Sequence, residues 1–522
     1  MFILNKAKRT FILIFILTLL IKLWLAAYFP FTGDEAFFYQ WGMFPDWGYY
    51  DHPPMIGWLL YLLSHISSHP LILRSISVLL WGVIAFGLVD LLKRIRPLQQ
   101  DNAWYLAAVF LTLPFTWALN LVTTDTPLIL FVFCSQYCFV RSQLDGKIIW
   151  TLGSGIFLGL AFLSKYFAGL LAVTYAVYFV INFKHKNSLR SLAIIAFSSA
   201  PFIAINLGYN ATHCYNNIMF NVYNRNQNAH FSWQTVCVYI LMIVYLITPW
   251  FTFSLLSITT KGKAFRPSAM RSLTYGEQIH CKLKHDVMVL FLVPLLVFFI
   301  LSFKKLIGLH WVLGFMPSVF LYAGLQLDIE LIRKYLRWTI LFSIPHLAIL
   351  SAVIILPLSA WKTFSFYEKI VFHKKTPQIV SELRKNLPKN SLIMATAYTP
   401  ASILSYAAGE YWGVFGGENK YHARQDDIIT DFRQLNGKSI RIHDDHEMKK
   451  ALFLPYFDSV SVSSFMVAGV RYWFVDGVNF NYMNYRENIL KKINRRYYKI
   501  PKWLPMKSCP FIEKYDFERQ LR

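Results

Sequence analysis

A series of long apolar stretches constrains this chain more than any other feature. A helix that crosses a bilayer needs about 20 mostly apolar residues. About eleven stretches approach that length and are candidate spans: residues 10–29, 71–92, 104–120, 126–140, 149–164, 167–183, 190–206, 234–257, 287–303, 309–325 and 338–358. Charged residues make up only 15% of the chain, against about a quarter in soluble proteins. The sequence therefore predicts a polytopic α-helical membrane protein.

The first stretch is predicted to remain in the protein as a span. "MFILNKAKRTFILIFILTLLIKLWLAAYFP" has a basic start and then a long apolar run. A signal peptide has a shorter apolar core, of about 7–15 residues, followed by a small-residue cleavage site. "LAAY" is a poor site of that kind, so we expect no cleavage here.

Six cysteines are spread along the chain, and no CxxC pair is present. Most of them lie in or near apolar stretches, where cysteine serves as a small hydrophobic residue. We therefore expect neither a disulfide framework nor a zinc cluster.

The distribution of charge predicts two domains. Residues 1–358 contain 26 Lys and Arg and 12 Asp and Glu, whereas the much shorter 359–522 contains 26 and 16. The composition shift predicts a membrane domain over 1–358 and a soluble domain over 359–522. Within the latter, "TPQIVSELRKNL" and "PASILSYAAG" are typical of helices, and "SLIMATAY", "SIRIHDD" and "VRYWFVDGV" of strands, which indicates an α/β domain.

The basic residues predict the orientation of the spans. With the N-terminus in the cytoplasm, the inner segments carry about 20 Lys and Arg and the outer loops about 4. Positive charge favours the cytoplasmic side, so the soluble domain is predicted to be extracytoplasmic. We interpret the formal net charge of +24 as a topology signal and as contact with lipid headgroups, and expect no nucleic acid as a partner.

Acidic residues collect in the predicted outer loops. Carboxylates at a membrane boundary are costly, so they indicate function. A functional role is best supported for the adjacent Asp34 and Glu35. Two neighbouring acids repel each other, so one of them can act as a base. Asp46 is better explained by the exclusion of Lys and Arg from translocated loops. For Asp125, flanked by threonines, capping of a helix is an equal alternative.

Several motifs resemble one family. "GDEAFFYQWG" resembles the Asp-Glu motif in the first outer loop of GT-C-type glycosyltransferases, and "GYYDHPPMIGWL" is similar to the Pro-Pro segment that follows it in the protein O-mannosyltransferase superfamily. "TTDTPL" and "GLAFLSKYFAGLL" resemble a later outer Asp and an LSK segment of that family, and "ENKYHARQDDIITDFRQLNGK" resembles a C-terminal stretch of some bacterial members. The bacterial branch includes lipid A aminoarabinose transferases and the galacturonosyl transferases that modify lipopolysaccharide.

This resemblance implies a GT-C fold of about 11–13 spans, with a short additional segment near 55–64, in a bacterial inner membrane. It implies an inverting transfer of a sugar from a polyprenyl phosphate in the outer leaflet to a glycolipid or a protein. The implied roles require a base, a second acid and cations for the leaving phosphate. The residues matched to them are Asp34 as base, Glu35 as second acid, Arg74, Lys165 and Arg225 as cations, and Asp51, His52 and Asp125 as further substrate-binding groups.

Alternatives stay open for several of these residues. Lys165 can instead snorkel from a span end, and His52 can be a packing residue of its loop. His52 also stands where the lipid A branch often has Lys, which weakens an assignment of aminoarabinose as the sugar. Aromatic residues of the same loop can stack on sugar or form an interfacial belt; they are Trp41, Trp47, Tyr49 and Tyr50.

No metal motif or cofactor motif is visible. Paired carboxylates can hold Mg²⁺ or Mn²⁺, but the resemblance implies no such requirement, and "HDDH" at 443–446 is more typical of a solvated turn than of a ligand set. Two other functions remain as alternatives. A transporter or lipid flippase predicts internal repeats and broken helices at the midplane, and a non-catalytic scaffold predicts that the acids are dispensable.

Overall fold

Apolar helices form most of the first two-thirds of the chain. The computed structural model describes residues 5–183, 186–224, 230–261, 275–388, 390–416, 424–505 and 507–519. The helices up to residue 355 are α1 (Lys6–Tyr28), α2 (Gly33–Met43), α3 (Met55–Ser64), α4 (Pro70–Leu73), α5 (Ser75–Ile95), α6 (Gln100–Leu111), α7 (Pro114–Ala118), α8 (Asp125–Asp145), α9 (Ile148–Ser164), α10 (Gly169–Ile181), α11 (Lys186–Thr212), α12 (Asn216–Val222), α13 (Trp233–Ile247), α14 (Pro249–Lys261), α15 (Tyr275–Ser302), α16 (Met316–Gln326) and α17 (Ile329–Ile355).

Among the described residues, six helical segments are long and apolar enough to cross a membrane. They are Lys6–Tyr28, Pro70–Ile95, Asp125–Asp145, Asn187–Thr212, Cys281–Ser302 and Ile329–Ile355. Helices α13 and α14 meet at 96° and add a seventh if they are one bent span. The predicted class, a polytopic helical membrane protein with a C-terminal α/β region, is confirmed. The number of crossings stays a prediction.

Some predicted spans are interrupted, which explains why fewer long helices are found. The stretch 104–120 is divided between α6, of 12 residues, and α7, which restarts at Pro114. The stretch 309–325 contains α16, of 11 residues. A proline cannot donate to the preceding helical turn, so it begins a new helix more readily than it continues one.

The chain divides into two compact units. The first contains Met1–Tyr28, His69–Ala204 and Asn228–Ala352, and the second contains Phe29–Ser68, Ile205–Gln227 and Val353–Arg522. The domain boundary after residue 358, which was inferred from composition, stays a prediction. Two segments of the second unit, 29–68 and 205–227, come from the part of the sequence that composition assigned to the membrane domain.

The first unit has an apolar core made by its helices, and a polar network lies between α5 and α8. Asp90 accepts hydrogen bonds from the Arg94 guanidinium and the Tyr137 hydroxyl, both at 2.7 Å. Arg141 pairs with Asp145 at 2.7 Å and with Asp90 at 3.4 Å. Arg141, one of the cations that predict the orientation, therefore also joins α8 to α5, whereas Arg94 pairs within α5.

The second unit contains a five-stranded sheet with the order β2-β1-β3-β5-β4. The strands are β1 (Leu392–Ala395), β2 (Gly413–Val414), β3 (Ile440–Asp444), β4 (Phe457–Val467) and β5 (Val470–Phe480), and the helices are α18 (Tyr367–Arg384), α19 (Tyr398–Ala408), α20 (Asp426–Ile429), α21 (Tyr482–Tyr485), α22 (Lys491–Tyr497) and α23 (Pro510–Tyr515). Strand β1 is parallel to β2 and β3, whereas β5 is antiparallel to β3 and β4.

The helices and strands predicted for this region are confirmed, and two strands were missed. The predicted elements correspond to α18, α19, β1, β3 and β5. Strand β4 has the sequence "FDSVSVSSFMV", whose serines dilute the apolar alternation that identifies strands. Strand β2 has only two residues, which is too short to show a period.

A disulfide contradicts the expectation that cysteines are unpaired. Cys214 is bonded to Cys509, 295 residues later in the sequence. Hydrogen bonds to backbone carbonyls flank this bond. Lys507 N–H donates to the Ala211 carbonyl at 2.9 Å, and the Tyr215 hydroxyl donates to the Pro505 carbonyl at 2.8 Å. The expectation was wrong because a pairing over this separation leaves no local spacing signal.

The aromatic residues of the predicted first outer loop, residues 30–70, also differ from expectation. Of the four predicted to contact sugar or lipid, Trp41, Tyr49 and Tyr50 are completely buried, and Trp47 has 62% of its surface exposed. Trp41 stacks on Tyr49 with ring centres 4.3 Å apart. The interface and sugar-stacking roles are therefore wrong for the three buried rings, because they fill the core of the second unit.

Candidate functional site

The Asp-Glu motif lies in the first turn of α2, where a capping box fixes the backbone. The Glu35 carboxylate accepts hydrogen bonds from the backbone N–H and the hydroxyl of Thr32, at 3.0 and 2.9 Å, and the Thr32 hydroxyl accepts from Glu35 N–H at 3.4 Å. This reciprocal arrangement satisfies helix N–H groups that have no partner within the helix. Glu35 is completely buried, so its carboxylate holds the start of the helix.

Asp34 has a different environment from its neighbour. Its side chain is exposed, and within the described part of the chain no residue donates a hydrogen bond to its carboxylate. The N-terminus of a helix favours a negative charge. Of the two adjacent acids, Asp34 is therefore the one whose oxygens are accessible to a ligand.

Helix α2 is held against α19. The Gln40 side-chain amide nitrogen donates to the Ser405 hydroxyl at 3.1 Å, and the Ser402 hydroxyl donates to the Gln40 side-chain oxygen Oε1 at 3.2 Å. A Cβ atom at Gly33 would lie only 2.5 Å from Cγ2 of Thr399, so glycine is needed for this approach. These contacts set the position of Asp34 within the second unit.

His373 contacts the segment just before α2. Its ring Nδ1 lies 3.2 Å from the Phe31 carbonyl oxygen, so this nitrogen carries the proton. Burial lowers the pKa of His373, while the bond to Phe31 and the negative charges of Asp445 and Glu35 act in the opposite direction. A neutral His373 serves as a donor that anchors the chain before the capping box.

Asp51 is paired with a residue that the sequence did not single out. Its carboxylate is 2% exposed and lies 3.1 Å from the Arg424 guanidinium. The Asn221 amide donates to the Asp51 carbonyl at 2.8 Å. Arg424 also lies over the Tyr398 ring, 4.4 Å from its centre. The only signal for Arg424 was its place in the "HARQDD" motif.

His52 lies beside aromatic rings of the same unit. Its ring centre is 6.1 Å from that of Trp41 and 6.2 Å from that of Phe38. Its backbone carbonyl accepts from Tyr49 N–H at 3.0 Å. The side chain is half-buried, which is compatible with both the packing role and the substrate-binding role.

In the first unit, Asp125 and Lys165 form a close ion pair. The Lys165 ammonium donates to both carboxylate oxygens of Asp125, at 2.9 and 2.8 Å. Lys165 is 5% and Asp125 8% exposed. His310, which the sequence reasoning missed, has Nε2 at 3.9 Å from Asp125. The Asp125 side chain does not cap α8, so the capping alternative is wrong, and snorkelling is excluded for the buried Lys165.

Of the remaining two predicted cations, the structure describes only Arg74. Arg74 is completely buried, and its guanidinium donates to the Ala26 carbonyl at 3.1 Å. Arg225 lies outside the described residues.

Among the described residues, no group of three or more His, Cys, Asp or Glu side chains is arranged to hold an ion. In "HDDH", His443 is buried in β3 while His446 is exposed, and the Asp444 carboxylate accepts from the Thr396 hydroxyl. The interpretation of this segment as a solvated turn is therefore wrong for His443, which is buried in β3, and fits only the exposed Asp445 and His446.

Comparisons with known proteins agree with these features. The family model for dolichyl-phosphate-mannose-protein mannosyltransferase matches residues 51–207. Lipid A galacturonosyltransferase RgtD of Rhizobium johnstonii is 28% identical over 188 residues, which are 35% of this chain and 39% of that protein. The chain thus matches well under half the length of this curated relative.

The fold resembles two crystal structures of ArnT from Cupriavidus metallidurans. The structure bound to undecaprenyl phosphate has a TM-score of 0.58 at 12% identity, and the apo structure has 0.55 at 14%. Each comparison covers 89% of this chain and 97% of ArnT. This likeness shows a shared fold, and the family model shows that residues 51–207 are similar to the protein O-mannosyltransferases.

Proposed function

We propose that this protein transfers a sugar from a polyprenyl-phosphate donor to a glycolipid of the lipid A type, at the outer face of a bacterial inner membrane. The observation that carries the proposal is the exposed Asp34 carboxylate at the first turn of α2, next to a Glu35 that is buried in a capping box. One relative is named for lipid A as acceptor, and one structural neighbour was solved with undecaprenyl phosphate. Both support the proposed substrates.

In this proposal Asp34 acts as the base. The acceptor hydroxyl gives its proton to the Asp34 carboxylate as its oxygen attacks the anomeric carbon. A new glycosidic C–O bond forms on one face of the sugar while the bond from the anomeric carbon to the phosphate oxygen breaks on the other, with inversion. The electron pair of the broken bond leaves with the polyprenyl phosphate. Glu35 acts as a positioning residue, because its bonds to Thr32 hold the turn that carries Asp34.

The other predicted site residues are assigned to substrate binding. An ammonium group has three N–H donors, and two of those of Lys165 go to Asp125, so one remains for a phosphate or sugar oxygen. Arg74 and Arg225 are proposed to balance the charge of the leaving phosphate. Asp51 is proposed to shape the site through its pair with Arg424, with His52 beside it.

The proposed orientation has the N-terminus in the cytoplasm and the second unit outside. The Cys214–Cys509 disulfide belongs to that unit, and disulfides persist in oxidising compartments such as the periplasm. This agrees with the positive-inside pattern. A lipid-linked sugar in the outer leaflet then meets Asp34 on its own side of the membrane.

Transfer from a labelled undecaprenyl-phosphate sugar to lipid A in membranes tests the proposal, with several donor sugars tried in turn. We expect Asp34→Asn to lower the rate about 10²–10⁴-fold, the usual contribution of a positioned base. Asp46→Asn is the matched control, since Asp46 lies in the same segment and its carboxylate accepts from Trp47 N–H. Full activity in a folded Asp34→Asn variant would refute the base assignment.

The acceptor is identified by mass spectrometry of lipid A and surface proteins from a strain that lacks this protein. Loss of a sugar from lipid A supports the proposal, and loss from proteins alone contradicts its acceptor. If no donor is used by the wild type, the transporter or flippase alternative replaces the enzymatic one.

A further inference from the structure

Lys22 is a buried cation within the first span. It lies in α1, and only 2% of its surface is exposed. Thr18, Leu25 and Ala26 are buried on the same face of this helix, as their spacing of three or four residues requires. Among the described residues, none forms a hydrogen bond or an ion pair with the Lys22 ammonium. A charge inside a membrane helix is costly and indicates a functional site.

Snorkelling does not explain this lysine. Six residues separate it from the end of α1, which is about 9 Å along the helix axis. A snorkelling lysine places its ammonium in the headgroup region while its alkyl chain covers apolar surface. The Lys22 side chain is instead buried, with only 2% of its surface exposed.

Asn120, which contacts the Lys22 backbone, provides a second unpartnered group. Its amide nitrogen donates to the Lys22 backbone carbonyl at 2.8 Å. A carbonyl oxygen only accepts, so this bond fixes which end of the amide is nitrogen and which is oxygen. Asn120 is 4% exposed, and its Oδ1 has no hydrogen-bond partner among the described residues. A buried acceptor in this state is uncommon and favours a ligand with a donor group.

Another cation reaches the same helix one turn further on. The buried Arg74 guanidinium donates to the carbonyl of Ala26, four residues after Lys22 on the same face. The site therefore combines an ammonium, a nearby guanidinium and an amide oxygen. Ammonium and guanidinium groups recognise phosphate, and an amide oxygen accepts from a hydroxyl group.

We propose that Lys22 and Asn120 bind the head of the lipid-linked sugar, with the Lys22 ammonium on the phosphate and Asn120 Oδ1 accepting from a sugar hydroxyl. This deepens the proposed function and depends on it for the identity of the lipid. Lys22 is a binding residue here, so its loss weakens the affinity for the donor and leaves the base untouched.

Binding to purified protein tests the phosphate contact without requiring catalysis. Native mass spectrometry compares undecaprenyl phosphate with undecaprenol, which has the same chain and no phosphate. We expect Lys22→Met to weaken the binding of undecaprenyl phosphate about 10- to 100-fold, the range for a hydrogen bond to a charged group. The binding of undecaprenol should be unchanged. Lys22→Arg retains most of the affinity. Lys6→Met is the control, because Lys6 is an exposed cation at the other end of the same helix.

The sugar contact is tested by transfer kinetics. Asn120→Ala is expected to raise the KM for the lipid-linked sugar several-fold without a matching loss of kcat, and to leave the affinity for undecaprenyl phosphate, which has no sugar, unchanged. An unchanged KM refutes the role of Asn120.

Unchanged undecaprenyl phosphate binding by folded Lys22→Met overturns the role of Lys22. If that variant does not fold, Lys22→Gln provides the same comparison. Loss of phosphate binding in a protein that transfers no sugar supports this site and rejects the proposed function.

Discussion

Removing the charge of Asp51 is expected to destabilise the second unit. The Asp51 carboxylate is 2% exposed, and its Oδ2 lies 3.1 Å from Nη1 of Arg424. The two residues are 373 positions apart in the sequence, so the pair joins the first loop to the C-terminal region within one unit. Asp51→Asn keeps the shape of the side chain and removes only its charge.

The expected loss follows from the distance and the exposure of the two groups. At 3.1 Å the attraction is about 5 kcal/mol with an effective dielectric constant of about 20. The Arg424 side chain is 25% exposed, so in the Asp51→Asn variant water solvates the guanidinium and compensates part of the lost attraction. Breaking a buried pair costs about 3–5 kcal/mol and an exposed pair at most about 1 kcal/mol. We therefore expect Asp51→Asn to cost about 2–3 kcal/mol, between these limits.

Arg424→Gln is expected to cost more than Asp51→Asn. It leaves a carboxylate, the more deeply buried of the two groups, without this cation, and it also removes the contact of the guanidinium with the Tyr398 ring. In the double variant the two losses should not add, and a coupling energy of about 1–3 kcal/mol is expected.

Thermal unfolding of the purified protein in detergent provides the assay. For a unit of about 150–250 residues each kcal/mol changes Tm by about 2–4 °C, so Asp51→Asn should lower it by about 5–10 °C. Strictly additive losses in the double variant, or an unchanged Tm in both single variants, would refute the view that this pair stabilises the unit.

Two further predictions concern the same unit. Gly33→Ala should lower Tm, because the added Cβ would lie 2.5 Å from Cγ2 of Thr399 and overpacking costs about 1–3 kcal/mol. Adding Thr399→Ser removes that methyl group and should restore Tm. A loss of Tm that persists in the double variant contradicts the steric explanation. Burial raises the pKa of Asp426 from 3.8 to about 7, so the folded protein retains a proton that the unfolded chain releases, and stability should fall as the pH rises between these values. Asp426→Asn, which cannot ionise, should remove that fall, and parallel curves of Tm against pH for wild type and variant would contradict it.

Local patterns in the sequence predict the class of fold and most elements of the C-terminal region. Apolar length identifies membrane helices because a helix satisfies its own backbone groups in lipid. Helices α18 and α19 and strands β1, β3 and β5 follow from residues that are neighbours in the chain. The same local reasoning indicates Asp34 and Glu35 as distinct acids, since adjacent charges repel.

Only the tertiary structure decides which distant residues meet. The sequence points to Asp125 and Lys165 separately, and the fold joins them in one ion pair. It also brings Arg424 to Asp51 and Cys509 to Cys214. Charge and thiol pairing depend on distances of a few ångströms in space, which periodicity and composition do not encode.

The roles of the first outer loop show this division most clearly. Its composition predicts an acidic, proline-containing segment that belongs outside the membrane. The structure makes residues 29–68 part of the second unit. It buries Trp41, Tyr49 and Tyr50 and uses Glu35 to cap α2, while Asp34 stays exposed. The sequence by itself determined which groups are present, and the packing of segments far apart in the chain decided which of them remain accessible, because burial depends on neighbours that only the folded chain supplies.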